Sequence, residues 1–440
     1  MALECLFAVE ARGAYLNQAL SRTLRRYPLD RRDRDLATEL CYGVERRRLT
    51  LDWAVDLFLK KGRSRLEVPV RNVLRLGAYQ ILFLARVPDY AAVDEAVDLA
   101  RLYAGEGAAR LVNAVLRRLA EAGPDLPWPD EAADPVAALS VRYSHPAWLV
   151  ERWLARFGRD ETVALMEANN AAAPLCVRVN VHRTTRPAVR DMLTEAGVTA
   201  TPTSLSPDCL VVHDGSDPGQ LPGFAGGLLT PQDEASALVA RAIGPEPGWR
   251  VVDACTGAGT KAAQLAEIMG DAGQVIACDL YAHKLRLVEQ AARRLGLSAV
   301  RPRQCDARDL AAATGETDAV LVDAPCTGLG TIRRRPDLRW RRQPGDVAAM
   351  AAMQKEILAG AATAVRRGGV LVYSTCTTEP EENEGVVTWF LDHVPGFGLE
   401  DISGCWPERA AAAQVQAGMA HFWPHRHGTD GFFVARMRRV

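Results

Sequence analysis

The sequence predicts an α/β protein in which a doubly wound parallel sheet fills the C-terminal half, behind a small α+β module and an all-helical N-terminal domain. Three observations predict it. Past about residue 245, strand-length apolar runs alternate with helix-length segments, whereas before residue 120 apolar residues recur at helical spacing. Between these halves, Gly123 to about Pro135 is rich in Pro, Asp and Ala, as linkers are. With 440 residues, 48% of them hydrophobic, the chain can bury two to four cores at roughly 100–200 residues each. The expected domains are 1–125, 136–240 and 241–440.

The elements follow in order. Leu36-Ala37-Leu40-Val44, Leu51-Val55-Phe58-Leu59 and Val73-Leu76-Ile81-Leu82 mark helices, punctuated by Gly62, Pro69, Pro88 and Gly105–Gly107. Past the linker, Pro146-Ala147-Trp148 opens a helix that reaches about Phe157. Leu175–Asn180 and 209–213 read as strands around a helix at 186–196. Strand Arg250–Ala254 then leads through a Gly-rich turn into a helix from about 260. Strand Val275–Asp279 precedes helix 282–295, and strand Ala319–Asp323, helix 346–366 and strand Gly369–Ser374 complete the alternation.

Charge and cysteine content narrow the class. Lys+Arg (53) and Asp+Glu (54) nearly cancel, but residues 1–120 carry a balance of +6 and the remainder −7. Such an excess suits a polyanion partner, although a solvated helical surface gives the same count. No apolar run reaches about 18 residues and Met1-Ala2-Leu3-Glu4 does not open a secretory signal, so a cytoplasmic, membrane-free protein is expected. The ten cysteines form no CxxC pair and no Cys/His cluster of zinc spacing, so no metal site is expected.

Three segments carry chemistry. In Val251-Val252-Asp253-Ala254-Cys255-Thr256-Gly257-Ala258-Gly259-Thr260-Lys261, a strand ends in an acid and a small-residue turn enters a helix, whose first N–H groups are free for a ligand. The next strand ends at Asp279, placed to bind a ribose diol, and a third acid, Asp306, follows Arg303-Gln304-Cys305. A tight structural turn or helix caps would explain any one of these acids alone. The turn is not G-x-G-x-x-G, and an acid before it suits the cationic tail of S-adenosylmethionine better than the pyrophosphate of NAD.

The second segment is Asp323-Ala324-Pro325-Cys326-Thr327-Gly328-Leu329-Gly330. Adenine amine methylation generally places Asn/Asp-Pro-Pro with an aromatic residue here; this chain has Pro-Cys and no aromatic. The third is Tyr373-Ser374-Thr375-Cys376-Thr377-Thr378-Glu379-Pro380-Glu381-Glu382-Asn383-Glu384. A thiol after each of two strands brings Cys326 and Cys376 to one carboxyl edge of the sheet, where such folds bind ligands. Carbon-5 of cytosine is a poor nucleophile until a thiolate adds at carbon-6, so a cysteine there points to covalent activation of a pyrimidine. Asp323 is placed to hydrogen-bond the N3/N4 edge of that base. The cluster Arg333, Arg334, Arg335, Arg339 and Trp340 offers phosphate and stacking contacts for RNA, with Arg46–Arg48 as a possible extension.

These motifs, in this order, resemble the bacterial RsmB (Sun/Fmu) family of 16S rRNA cytosine-5 methyltransferases. Asp323–Asp337 and Ser374-Thr375-Cys376 followed by Pro380-Glu381-Glu382-Asn383 are the most specific segments. Tyr143–Leu149, Pro231–Ser236 and Gly428–Phe433 also look like family signatures, and Gly77–Leu82 with Val112–Arg117 resemble the NusB-like RNA-binding domain. The resemblance implies a Rossmann-like methyltransferase domain, S-adenosylmethionine as donor, 16S rRNA as partner, Cys376 as nucleophile and Cys326 in product release. Nothing in it requires an obligate dimer, so a monomer is expected. Cofactor contacts would come from Cys255, Thr256, Gly257, Ala258, Gly259, Thr260, Lys261, Asp279, Asp306 and Asp323. The family usually reads Cys-Ala-Ala-Pro-Gly-Gly-Lys where this chain has Cys255–Lys261, which leaves the loop contacts least secure. Two alternatives stand beside this reading: Cys326 as nucleophile, as in DNA cytosine methyltransferases, and an RNA-binding assembly or antitermination factor with a vestigial methyltransferase domain.

Overall fold

A computed structural model describes residues 1–60, 62, 65–213 and 217–440. The chain forms two compact units, one of residues 1–172 with 332–341 and one of residues 173–331 with 342–440.

The first unit is helical, with Ala2–Arg12, Leu16–Arg26, Arg31–Arg46, Arg48–Asp56, Val68–Phe83 and Asp89–Ala122 preceding three further helices. Leu51, Val73, Leu74, Leu116 and Leu119 form its buried core. Asp30 starts helix Arg31–Arg46 by accepting the Asp33 N–H. Gly105 (φ 81°) kinks the long helix Asp89–Ala122 at the glycine stretch that the sequence marks as a break. The helices past the linker, Pro135–Tyr143, Ala147–Phe157 and Arg159–Asn170, pack within this unit. Their tie is polar: Ser144 Oγ accepts the Leu49 N–H (3.0 Å), and the Thr50 hydroxyl donates to the Val141 carbonyl (2.6 Å).

The second unit opens with a small antiparallel sheet of β1 (Leu175–Val179), β2 (Ala200–Pro202), β3 (Cys209–Val212) and β4 (Leu229–Pro231), in the order β2-β3-β1-β4. Helix Arg186–Glu195, capped by Thr185, accompanies it. The large sheet follows: β5 (Arg250–Asp253), β6 (Gln274–Asp279), β7 (Val300–Gln304), β8 (Thr317–Asp323), β9 (Val365–Thr375), β10 (Phe397–Leu399), β11 (Gln414–Gln416), β12 (Met419–Phe422) and β13 (Phe432–Arg439). Strands β5 to β9 are parallel in the order β9-β8-β5-β6-β7, while β13, β12 and β11 extend the β9 side antiparallel. Neighbouring Val251 and Val252 enter different apolar layers, so helices cover both faces. Pro302, which has no N–H to give, sits on the edge strand β7.

The chain winds from β5 outward through β6 and β7, then returns to place β8 on β5's other side. That reversal opens a crevice at the carboxyl ends of β5 and β8, where sheets of this kind take their ligands.

Candidate active site

Three loops meet at this carboxyl edge. The β8 loop carries Cys326 and the β9 loop carries Cys376, and their sulfurs stand 3.3 Å apart. Backbone stitches hold the loops together: the Gly330 N–H donates to the Cys376 carbonyl (2.9 Å), and the Gly431 N–H to the Gly330 carbonyl (2.7 Å). A Cβ on Gly330 would lie 2.1 Å from the Gly431 oxygen and 2.8 Å from that of Cys376, so this approach requires glycine. The β8 loop is fixed along its length. Gln354 Nε2 donates to the Pro325 carbonyl (2.9 Å) and Arg342 Nε to the Thr327 carbonyl (2.7 Å). Asn383 braces the other loop by accepting from the Thr375 hydroxyl (2.5 Å) and donating to the Thr377 carbonyl (3.1 Å).

The two thiols are electrostatically unequal. A hydrogen bond to Cys376, burial, the Cys376 charge and the Glu382 carboxylate together push the Cys326 thiol well above its ordinary range. Cys326 therefore keeps its proton, and either sulfur can serve as the donor across the contact. Lys261 faces the same sulfur, and its ammonium pairs with Asp323 at 2.7 Å. Burial works against the Lys261 charge, but Asp323 and nearby acids outweigh it and hold its pKa up. Asp323 also accepts the Ser374 hydroxyl (2.8 Å), so it reaches the crevice as an ion-paired acceptor.

The Gly-rich turn lies over the neighbouring strand ends. Gly257 (φ 57°) donates its N–H to Asp279 (3.1 Å), which also accepts from the Tyr281 N–H (3.0 Å) and Lys284 (3.1 Å). Asp306 accepts the Arg308 N–H (2.9 Å) and pairs with its guanidinium (2.7 Å), which holds the carboxyl below its usual range despite partial burial. Asp306 is thus a cap as well as a strand-end acid. Asp253 differs from both: it is buried, and only its near neighbours Thr256 and the Cys255 backbone, with Lys261, favour its charged form. Burial and the Asp323 charge raise its pKa to about 7.

Comparison with known proteins decides the family. Residues 240–438 match the family described as 16S rRNA methyltransferase RsmB/F, residues 1–121 match the NusB family, and residues 145–217 match the RsmF/B-like ferredoxin-like domain. The ribosomal RNA small subunit methyltransferase B of Thermus thermophilus is 38% identical, covering 100% of this chain and 97% of the relative. Its Pseudomonas putida counterpart is 36% identical over 100% and 98%. The chain belongs to the RsmB/F family of 16S rRNA methyltransferases. The crystal structure of PH0851 agrees in fold, with a TM-score of 0.84 at 27% identity over 100% of this chain and 98% of that one.

As an RsmB/F methyltransferase, the protein acts on rRNA with S-adenosylmethionine as its methyl donor. The residues present fit that donor. Asp253 and the buried Thr256 hydroxyl, at the end of β5, would offer acceptors to the ammonium of the methionyl tail. A Cβ at Gly257 would meet nothing within 4 Å, so the turn is open on the side a ligand approaches. Cys255 stays a neutral thiol, since burial and the surrounding acids Asp253, Asp323 and Asp279 push it up.

The expected arginine cluster is corrected in part. Arg339 is fully buried and lies inside the helical unit, not on an RNA-facing surface. Its guanidinium donates to the carbonyls of Arg46 (3.3 Å), Ser144 (2.8 Å) and Asn169 (3.2 Å) and to Asn170 Oδ1 (2.9 Å). Each partner ends a helix, so the cation caps three C-terminal dipoles in place of a carboxylate. Arg333 is buried too, and half-buried Trp340 spends its indole N–H on the Glu45 carbonyl (2.9 Å). Arg334 is half-buried and Arg335 exposed. Of the suggested extension, Arg46 is buried, Arg47 stacks on Phe83 (5.0 Å) and Arg48 pairs with Glu10 (3.7 Å). The sequence reading assigned no role to Thr327, Gln354, Glu382 and Asn383. For Glu382 and Asn383 the signal was present in the Pro380-Glu381-Glu382-Asn383 motif, which the resemblance singles out without giving its members a role.

Proposed function

We propose that the protein methylates carbon-5 of a cytosine in 16S rRNA through a covalent bond between Cys376 and carbon-6. The observation that carries this is the 3.3 Å separation of Cys326 and Cys376 at the carboxyl edge. The Cys376 thiolate adds to carbon-6, and the displaced ring pair gathers on carbon-5. When bound, S-adenosylmethionine supplies an electrophilic methyl group to that carbon. The carbon-5 proton then passes to a base and on to water. Its bonding pair restores the C5=C6 bond, and the C6–S pair returns to Cys376. Cys326, protonated and 3.3 Å from the departing sulfur, stabilises the thiolate as it leaves. The net change is one proton exchanged for one methyl group.

Asp323, paired with Lys261, accepts from the exocyclic amine of the base and fixes its orientation. The Pro325 carbonyl already accepts from Gln354 Nε2, which leaves it less free to hold an amine for methylation. Because one chain supplies every group named, we take the working species to be a monomer in the cytoplasm. Cys376→Ala should abolish methyl transfer and any covalent RNA adduct, while Cys326→Ala should slow turnover and let the adduct accumulate. Denaturing gels of enzyme with unmodified small-subunit rRNA transcript read both. An adduct that persists in Cys376→Ala and vanishes in Cys326→Ala would reverse the roles.

A further inference from the structure

Glu382 is a fully buried carboxylate in the catalytic unit with four donors on it. Oε2 accepts the Thr327 N–H (2.9 Å) and Gln354 Nε2 (3.0 Å). Oε1 accepts the Thr327 hydroxyl (2.5 Å) and the Thr377 hydroxyl (3.1 Å), and the two threonine oxygens are themselves 2.8 Å apart. Thr327 follows Cys326 and Thr377 follows Cys376, so a single side chain ties together the residues next to both thiols. The Tyr373 hydroxyl, buried under the sheet edge, anchors the Glu382 carbonyl in turn (2.6 Å).

The ties are uneven. Three of the four donors belong to the Cys326 side: two from Thr327, and one from Gln354, which also holds the Pro325 carbonyl. The Cys376 side gives one; each loop also has a brace of its own, Asn383 on the Cys376 side and Arg342 on the Thr327 carbonyl, so the difference lies in the carboxylate's own ties. Removing the carboxylate therefore loosens Cys326 more than Cys376.

We propose that Glu382 is a positioning residue for product release, holding Cys326 where its thiol meets the departing Cys376 sulfur. This rests on the covalent reading above. Glu382 touches neither substrate nor donor; it acts through Thr327. A glutamine can replace it with the geometry kept, since its carbonyl serves the Thr327 N–H and Gln354 while its NH2 donates to the two hydroxyls, which rotate to accept.

The test is a single-turnover assay with the full chain, unmodified small-subunit rRNA transcript and radiolabelled S-adenosylmethionine, timing adduct formation and adduct decay separately. Glu382→Ala should leave formation within about 3-fold of wild type and slow decay by about 100-fold, the scale of a misplacement near 1 Å. Glu382→Gln should restore decay to within about 3-fold, and the double variant with Cys326→Ala should be no slower than Cys326→Ala alone. Unchanged decay in folded Glu382→Ala, an equal loss in both phases, or a Glu382→Gln as slow as the alanine variant would each overturn the proposal. Should Glu382→Ala not fold, Thr327→Val is expected to slow decay by about 10-fold and Thr327→Ser to recover it; a Thr327→Val with normal decay overturns it equally. If neither wild type nor Cys326→Ala forms an adduct, the covalent reading itself has failed, a result independent of every Glu382 variant.

Discussion

Arg339 in the helical unit and Glu382 in the catalytic unit are both charged and both fully buried, yet they are satisfied by opposite means. Among the described residues the arginine pairs with no carboxylate; backbone carbonyls at three helix ends absorb its charge. Among the same residues the glutamate pairs with no cation; a backbone N–H, an amide and two hydroxyls absorb its charge. Preoriented dipoles serve as counter-charge in both places. What separates the two sites is what they brace. Around Arg339 the partners are helix ends, so its loss should register as stability. Around Glu382 they are the neighbours of two thiols, so its loss should register as rate.

The sharpest way to break this comparison is Arg339→Ala. It strips four hydrogen bonds from a site with no water access, leaving carbonyls at the ends of three helices without donors. A loss of about 2–4 kcal/mol is expected, since each buried acceptor left without a donor costs about 1–3 kcal/mol and removal of a buried cation offsets part of the sum. Urea denaturation followed by circular dichroism measures it. Arg339→Lys should recover only part, because an ammonium cannot span the four acceptors. If Arg339→Ala leaves the unfolding midpoint in place and weakens RNA binding instead, the residue is a phosphate clamp and the contrast with Glu382 disappears.

The contrast also explains what could be read in advance. Strand-end positions were legible because continuous apolar runs followed by an acid and a Gly-rich or small-residue turn fix where a parallel strand stops. Asp253, Asp279, Asp323 and Cys376 consequently fall at the carboxyl edge where the topology requires them. Strands β10 to β12 were not legible: three or four residues are too few to show an alternation, and they are placed by pairing with β13 and with each other. Arg339 and Glu382 were hidden for a shared reason. Their neighbours in sequence, Arg333–Arg335 and Glu379–Glu384, look like solvated charge, and only tertiary contact shows which member turns inward. Composition reports how many charges a segment has, and the fold decides which are used as struts.

A smaller effect is expected at Asp253, buried like Glu382 and lying beside the Asp323 charge. Its pKa, raised to about 7 by burial and Asp323, lies above the unfolded-state value of 3.8, so the folded chain holds this proton more tightly. The group therefore costs stability as pH rises from about 4 through 7, and the full cost stands above 7. Cofactor binding runs the other way. A cationic ammonium favours ionised Asp253, so S-adenosylmethionine should bind roughly 3- to 10-fold more tightly at pH 8 than at pH 6, releasing a proton at the lower pH. Asp253→Asn should weaken binding and flatten that dependence. Calorimetry across this pH range in buffers of different ionisation enthalpy reads affinity and proton release together; an unchanged pH profile in Asp253→Asn would separate the residue from the donor.

The smallest effect belongs to Arg335, the exposed member of the segment that buries Arg339. An exposed guanidinium reaches RNA chiefly through phosphate, an interaction that salt screens and that carries no sequence information. Arg335→Ala should weaken binding of the rRNA transcript about 2- to 5-fold, reduce the slope of log affinity against log salt by about one, and leave the unfolding midpoint unmoved. Filter binding at several salt concentrations measures both quantities. The pairing with Arg339→Ala makes the result informative, because the two arginines stand four positions apart and one variant should move stability without the salt slope, the other the salt slope without stability. An Arg335→Ala that leaves the slope intact would mean that this segment serves only to brace the helical unit, and that the RNA contacts lie elsewhere on the chain.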